Sequence, residues 1–166
     1  MNNKYLSALV CGFGAAILTT IPGVESFACC LVVPIASGIS IALYKKSNQE
    51  VFKINTRTGV MLGLLTGIIV ALLASGFDII LTYISKSNEL VTAMPQTESL
   101  IRDMNLGSAA EESMKLLRQM VEEIRSNGFS FFYSILIIVS NLISFSIFGI
   151  LGGILGTVIV NKRSGQ

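Results

Sequence analysis

Cys29 and Cys30 are adjacent, which is uncommon within a membrane span, and thiols are residues that could do chemistry. Thiolates bind soft metal ions well, so this pair could contribute two ligands to a metal site. Cys11 lies too far away along the first apolar stretch to be a natural third ligand. Buried cysteine also packs as an ordinary small apolar residue. We therefore favour packing, keep Cys29 and Cys30 as weak metal candidates, and expect no cofactor.

Asp78 and Asn141 are polar side chains inside otherwise apolar stretches. An ionisable group within a membrane span is costly and is a functional candidate by default, and a deeply placed amide needs a polar partner. The two side chains could therefore line a polar pathway for a proton or a cation. We favour the alternative, in which Asp78 has a structural role near the membrane surface and Asn141 hydrogen-bonds a neighbouring helix.

Glycines recur at four-residue spacing in the third and fourth apolar stretches, where they form ridges of small residues. Such ridges let helices approach closely, and we predict that they pack within one chain in preference to joining two copies. The glycines are Gly59, Gly63 and Gly67 in the third stretch, and Gly149, Gly152, Gly153 and Gly156 in the fourth.

An enzymatic function is disfavoured by the types of residue present. The sequence has no histidine to act as a general base or as an imidazole metal ligand. No nucleophile and base occur at a recognisable spacing. The net charge of +2 gives no strong basic field for nucleic acid. We therefore expect a protein that is not an enzyme and does not bind nucleic acid.

The elements that must position these residues are transmembrane helices. Of the 166 residues, 52% are apolar and only 13% are charged, whereas a soluble domain carries about 25% charged residues. Four apolar stretches, 5–21, 27–44, 58–84 and 129–160, approach or exceed the ~20 residues that a spanning helix needs. We predict an all-α, multi-pass membrane protein with four transmembrane helices, folded as a single membrane domain over residues 1–166.

The first two stretches are short, and Pro22-Gly23 joins them. Proline ends a helix and glycine lets the chain turn, so we predict a helical hairpin. A re-entrant hairpin that does not fully cross the membrane is the alternative. No A-x-A-like cleavage site follows the first stretch, which favours a retained span over a signal peptide. The fourth stretch begins with aromatic residues typical of a membrane interface, namely Phe129, Phe131, Phe132 and Tyr133.

Residues 85–128 are too long for a structureless loop, and they predict two amphipathic helices. The first covers Pro95–Asn105 and stops at Gly107. The second begins with a capping box at Ser108–Glu111 and ends at Asn127-Gly128. Its apolar face is expected to pack on the spans or to lie in the membrane interface; the alternative is a surface for a soft metal or an apolar ligand. The four methionines of this segment are Met94, Met104, Met114 and Met120.

The distribution of charge predicts the orientation, because basic residues in short loops favour the cytoplasm. With four spans, both termini lie on the same side of the membrane as the loop from Lys45 to Arg57. Basic residues dominate that side, whereas acidic residues outnumber basic ones between Ser85 and Gly128. We predict cytoplasmic termini and an extracytoplasmic helical insert, 85–128. The basic residues on the predicted cytoplasmic side are Lys4, Lys45, Lys46, Lys53, Arg57, Lys162 and Arg163.

Three short runs carry a resemblance to known proteins, namely Gly12-Phe13-Gly14, Ile21-Pro22-Gly23 and Ala28-Cys29-Cys30-Leu31. Together with the glycine-ridged third stretch, they resemble a group of small, uncharacterised four-span prokaryotic membrane proteins, a domain of unknown function. The long insert is similar to another such bacterial family. Ala28–Leu31 also resembles part of the first span of mercuric-ion transporters, without their second cysteine pair. The resemblance implies a four-span fold and no known activity.

Two functions remain open on the sequence. The one we favour is a non-enzymatic structural or interaction protein of the bacterial inner membrane, which contacts the lipid bilayer and either a second copy or another membrane protein. The alternative is a small transporter or channel-like protein for a cation or a soft metal, which would use Asp78 and Asn141, or Cys29 and Cys30.

Overall fold

The computed structural model describes residues 3–21, 23–24, 27–48, 53–104 and 108–163. The described residues are helical apart from short connections, which confirms the predicted all-α class. A π-helical turn, Ala28–Val32, leads into the second helix, whose second residue is Pro34. Proline is tolerated there because the first turn lacks internal amide partners. The helices are α1 (Asn3–Thr19), α2 (Val33–Ser47), α3 (Thr56–Ser85), α4 (Glu89–Met104), α5 (Ser108–Asn127) and α6 (Phe131–Arg163).

Three helical segments are long and apolar enough to cross a membrane: Cys30–Ser47, Thr56–Ser85 and Phe131–Arg163. They match the second, third and fourth predicted stretches. The first stretch instead forms a shorter apolar helix, Tyr5–Thr19, which at 1.5 Å per residue measures about 22 Å. A typical hydrocarbon core is about 30 Å thick. Of the four predicted spans, three therefore have the length to cross.

The chain divides into two compact units, and both divisions fall inside long helices. The first unit comprises Met1–Ser75 and Ile138–Gln166, and the second comprises Gly76–Ile137. The second unit therefore contains the predicted insert, 85–128, together with the end of α3 and the start of α6.

The first unit has a core at one end, where four helix termini meet. Ala8 from the start of α1 packs with Ile41 and Tyr44 near the end of α2 and with Leu62 near the start of α3, and Val160 at the end of α6 packs against this cluster. The same end receives the connection before α3, because Ile54 is a buried member of the cluster. The first described helix begins, and the last one ends, at this end of the unit.

The second unit is built on a pair of helices, α4 and α5, whose apolar faces pack against each other. The predicted face of α5 is buried, but it packs mainly on α4, which differs from the expectation that it would cover the spans or lie in the interface. Tyr133 in the first turn of α6 also packs against the cluster. The buried residues are Val91, Met94, Met114, Val121 and Ile124.

Helix α4 begins at Glu89, so the predicted start at Pro95 is wrong. Asn88 is the cap, because its side-chain Oδ1 accepts a hydrogen bond from the Val91 amide at 2.9 Å. Pro95 then lies inside the helix. The predicted stop at Gly107 lies outside the described residues. Helix α5 begins at Ser108, the first residue of the predicted capping box, and ends at Asn127 as predicted.

Candidate functional site

The contact between α3 and α6 in the first unit is made through glycines. A Cβ atom added to Gly63 would lie 2.9 Å from the Cα of Gly153, and one added to Gly153 would lie 3.0 Å from the Cα of Gly63. One turn along, a Cβ on Gly149 would lie 3.1 Å from the Cα of Gly67. A Cβ atom is essentially never found 2.9 Å from a backbone atom, and 3.0–3.1 Å is closer than nearly all real Cβ contacts. The two helices therefore touch backbone to backbone at these positions.

The other glycine pair of α6 meets a different helix. A Cβ on Gly156 would lie 2.7 Å from the Cα of Gly38, and one on Gly152 would lie 2.8 Å from the carbonyl carbon of Pro34. Both of these neighbours are in α2. Because Gly152 and Gly153 point to adjacent faces of one helix, α6 contacts α2 with one glycine pair and α3 with the other. In this structure the ridges meet inside one chain.

Asn141 and Ser75 form a polar contact within the same helix pair. The Asn141 amide Nδ2 donates a hydrogen bond to the Ser75 hydroxyl at 3.0 Å, and Ser75 is almost completely buried. A buried amide in an apolar layer is stabilised by such a partner. Asn141 therefore joins α6 to α3, as expected from its depth in the fourth stretch.

Asp78 lies partly buried on α3, in the second unit, whereas Asn141 belongs to the first. The described hydrogen bond of Asn141 goes to Ser75 and not to Asp78. A polar pathway through Asp78 and Asn141 therefore stays a prediction.

The cysteines lie at two different places in the first unit. Cys30 is exposed in the π-helical turn that precedes α2, and Cys11 is partly buried in α1. The side chain of Cys29 lies outside the described part of the structure. Among the residues that are described, no group of three or more metal-ligating side chains could hold a metal ion. The metal candidates Cys29 and Cys30 thus stay a prediction.

An open groove of about 640 Å³ runs between α4 and α5 in the second unit. Its apolar lining comes from Met94 and Val121. Charges of both signs surround it, and the Arg118 Nε donates to the Glu98 carboxylate at 2.6 Å across the two helices. The groove therefore has an apolar floor that is surrounded by charges of both signs. The remaining lining residues are Pro95, Glu122, Arg125 and Ser126.

Sequence reasoning missed this groove because it placed the start of α4 at Pro95. With that start, Met94 and Val91 were outside the helix and could not be assigned to a face. The Asn88 cap, which an asparagine followed by an acidic residue in the first turn can signal, would have extended the helix to Glu89.

The end of α5 and the start of α6 are linked by Glu123. Hydrogen bonds to the charged form hold the pKa of the Glu123 carboxyl below its ordinary value. The Ser130 hydroxyl makes the larger contribution and the Gln119 amide the smaller one. The Gln119 Nε2 lies 3.0 Å from the carboxylate. Ser130 is almost fully buried immediately before α6, so the Glu123 carboxylate at the end of α5 lies near the start of α6.

Asn161 is a second residue that sequence reasoning missed. Its amide Nδ2 donates to the Ile54 carbonyl, and its Oδ1 accepts from the Ile54 amide, each at 2.9 Å. The side chain thus satisfies both backbone groups of a buried residue in the connection before α3. Nothing in the spacing of the sequence relates positions 54 and 161, which are 107 residues apart.

No protein-family model, curated protein or solved structure matches the chain. The resemblance to small four-span prokaryotic membrane proteins stays a prediction from short motifs.

Proposed function

We propose that the protein is a non-enzymatic structural and interaction protein of a bacterial inner membrane. A tight bundle of four helices, α1, α2, α3 and α6, crosses the bilayer and carries the α4–α5 hairpin as its interaction module. The observation that carries this proposal is the backbone contact of α6 with both α2 and α3 through separate glycine pairs. Such contacts favour close packing of helices within a membrane.

The topology of the proposal has both termini in the cytoplasm and the α4–α5 hairpin outside. It is supported by the first unit, where the beginning of α1, the end of α2, the beginning of α3 and the end of α6 come together. The basic residues at these helix ends agree with the positive-inside rule. Helix α1 is shorter than the hydrocarbon core, and local thinning of the bilayer accommodates such a helix at modest cost.

Lipid is the natural neighbour of the outward surface of this bundle. Large apolar side chains are half exposed along α1, α2 and α6, among them Val10, Ile39 and Val158. A soluble protein rarely exposes a continuous surface of this kind. The same surface would accept a second copy or another membrane protein.

The α4–α5 groove is the proposed partner site, and crosslinking tests it. A photoreactive phenylalanine analogue in place of Glu122, which lines the groove, should crosslink the full chain to a partner or to a second copy in intact cells. The matched control is the same analogue in place of Glu112, an exposed acid on the same helix that does not line the groove. Equal crosslinking from both positions, or none from position 122, would contradict the proposal.

The alternative function, a small transporter for a cation or a soft metal, has one observation in its favour. Ser37 and Ser40 on α2 are fully buried, and their hydroxyls have no hydrogen-bond partner among the described residues. Buried polar groups without partners are costly in an apolar layer. Ion flux into proteoliposomes distinguishes the two functions. The structural function predicts flux equal to that of empty liposomes, whereas flux that falls on Asp78→Asn or Cys29→Ser/Cys30→Ser would establish transport.

A further inference from the structure

An apolar groove of about 370 Å³ lies between α2 and α6 on the surface of the first unit. Exposed aliphatic side chains form its walls, including Ile35 and Ile39 from α2 and Leu155 and Ile159 from α6. Small residues form its floor, namely Ala42 and the glycines of the helix contact. The groove includes one charged residue, Arg163, in the last turn of α6.

The register of the two helices places a second cation at the same end. Gly152 contacts Pro34 and Gly156 contacts Gly38, so α2 and α6 run parallel and advance together by one turn. Continuing this register by about two turns brings Lys45 to the level of Arg163. Both residues lie in the last turns of their helices.

Among the residues that the structure describes, Lys45 has no anionic or polar hydrogen-bond partner at this end. Its Nζ is buried. A buried charge is costly unless it is paired. The nearest charges along both helices are also basic, namely Lys46 and Lys162. Charge complementarity at this end of the groove therefore calls for an anion.

We propose that the groove binds an acidic phospholipid. One acyl chain lies along the aliphatic walls, and the phosphate of the headgroup is bound by Arg163, while the Lys45 ammonium at the same level adds to the positive charge. Arginine suits this role because its guanidinium can donate two parallel hydrogen bonds to phosphate, and basic pockets between transmembrane helices bind anionic headgroups. The inference requires that the helices lie in a membrane, and it holds for either candidate function described above.

Native mass spectrometry of the detergent-purified full chain tests the proposal. The probes are phosphatidylglycerol and phosphatidylcholine with identical acyl chains, titrated separately. We expect phosphatidylglycerol to bind about tenfold more tightly, and Arg163→Gln or Lys45→Gln to remove most of that preference. The matched control is Arg57→Gln, which removes a basic residue from the start of α3, outside the groove. It should leave the preference unchanged.

A second variant tests the acyl-chain part of the site without changing charge. Ala42→Phe fills the groove, and it should weaken both lipids severalfold, whereas Leu43→Phe on the adjacent, non-lining position should not. Circular dichroism confirms that each variant keeps its helical content. Equal binding of the two lipids would overturn the proposal, as would an equal loss in Arg57→Gln and Arg163→Gln. Full displacement of phosphatidylglycerol by glycerophosphoglycerol, which has no acyl chains, would also overturn it.

Discussion

Gly63 shows at the scale of one residue how the membrane unit is held together. It has no side chain because the backbone of α6 occupies the space where a Cβ would lie. A Cβ atom added to Gly76 in the same helix would meet no atom within 4 Å. Adding a side chain should therefore have opposite effects on stability at the two positions, although both glycines lie in the interior of α3.

Gly63→Ala should destabilise the protein by about 1–3 kcal/mol, because the added methyl group forces α3 and α6 apart. Gly76→Ala is the matched control, and it should stabilise the helix by up to about 1 kcal/mol, since alanine is the better helix former. Thermal unfolding in a mild detergent measures both. A loss of equal size in the two variants would show that the helices do not touch at Gly63.

Glu123 provides a prediction that depends on pH. Its folded pKa lies below the ordinary value because Ser130 and Gln119 bond the carboxylate, so it stabilises the fold above the ordinary carboxyl pKa. This contribution is lost as the pH falls through the folded pKa. Wild type should therefore be slightly more stable than Glu123→Gln at neutral pH, and the difference should disappear in acid. A difference that grows in acid would contradict this assignment.

At the scale of elements, the start of α4 depends on one capping side chain. Asn88→Ala should cost about 1 kcal/mol, because the Val91 amide loses its acceptor. Asn88→Asp is the control, because the carboxylate keeps the acceptor. Hydrogen exchange of the Val91 amide reports the change directly. Unchanged protection in Asn88→Ala would mean that the helix starts elsewhere.

The helices differ in how much of their structure could be predicted from the sequence. Long apolar runs predicted α3 and α6 to within three residues at each end, since few other structures accommodate them. The apolar face of α5 was also predictable from its periodicity. The pattern does not indicate which helix this face packs against, and in the structure it packs on α4. Likewise, the ridges identified the glycines that pack closely, whereas the division of α6 between α2 and α3 required the structure.

At the scale of the whole molecule, two compact units share two long helices. Helices α3 and α6 have 30 and 33 residues, about 45 and 50 Å at 1.5 Å per residue. Both exceed the ~30 Å hydrocarbon core, and both continue from the first unit into the second.

The central claim is that four helices cross the membrane and leave the hairpin outside. Single-cysteine labelling with a membrane-impermeant maleimide tests it in a chain whose native cysteines are replaced by serine. We expect Val24→Cys and Gln119→Cys to be labelled in intact spheroplasts, and Asn3→Cys and Asn55→Cys to be labelled only after permeabilisation. If Val24→Cys is protected together with Asn55→Cys, or if Asn3→Cys is labelled in intact spheroplasts, α1 does not cross and the four-span bundle is wrong.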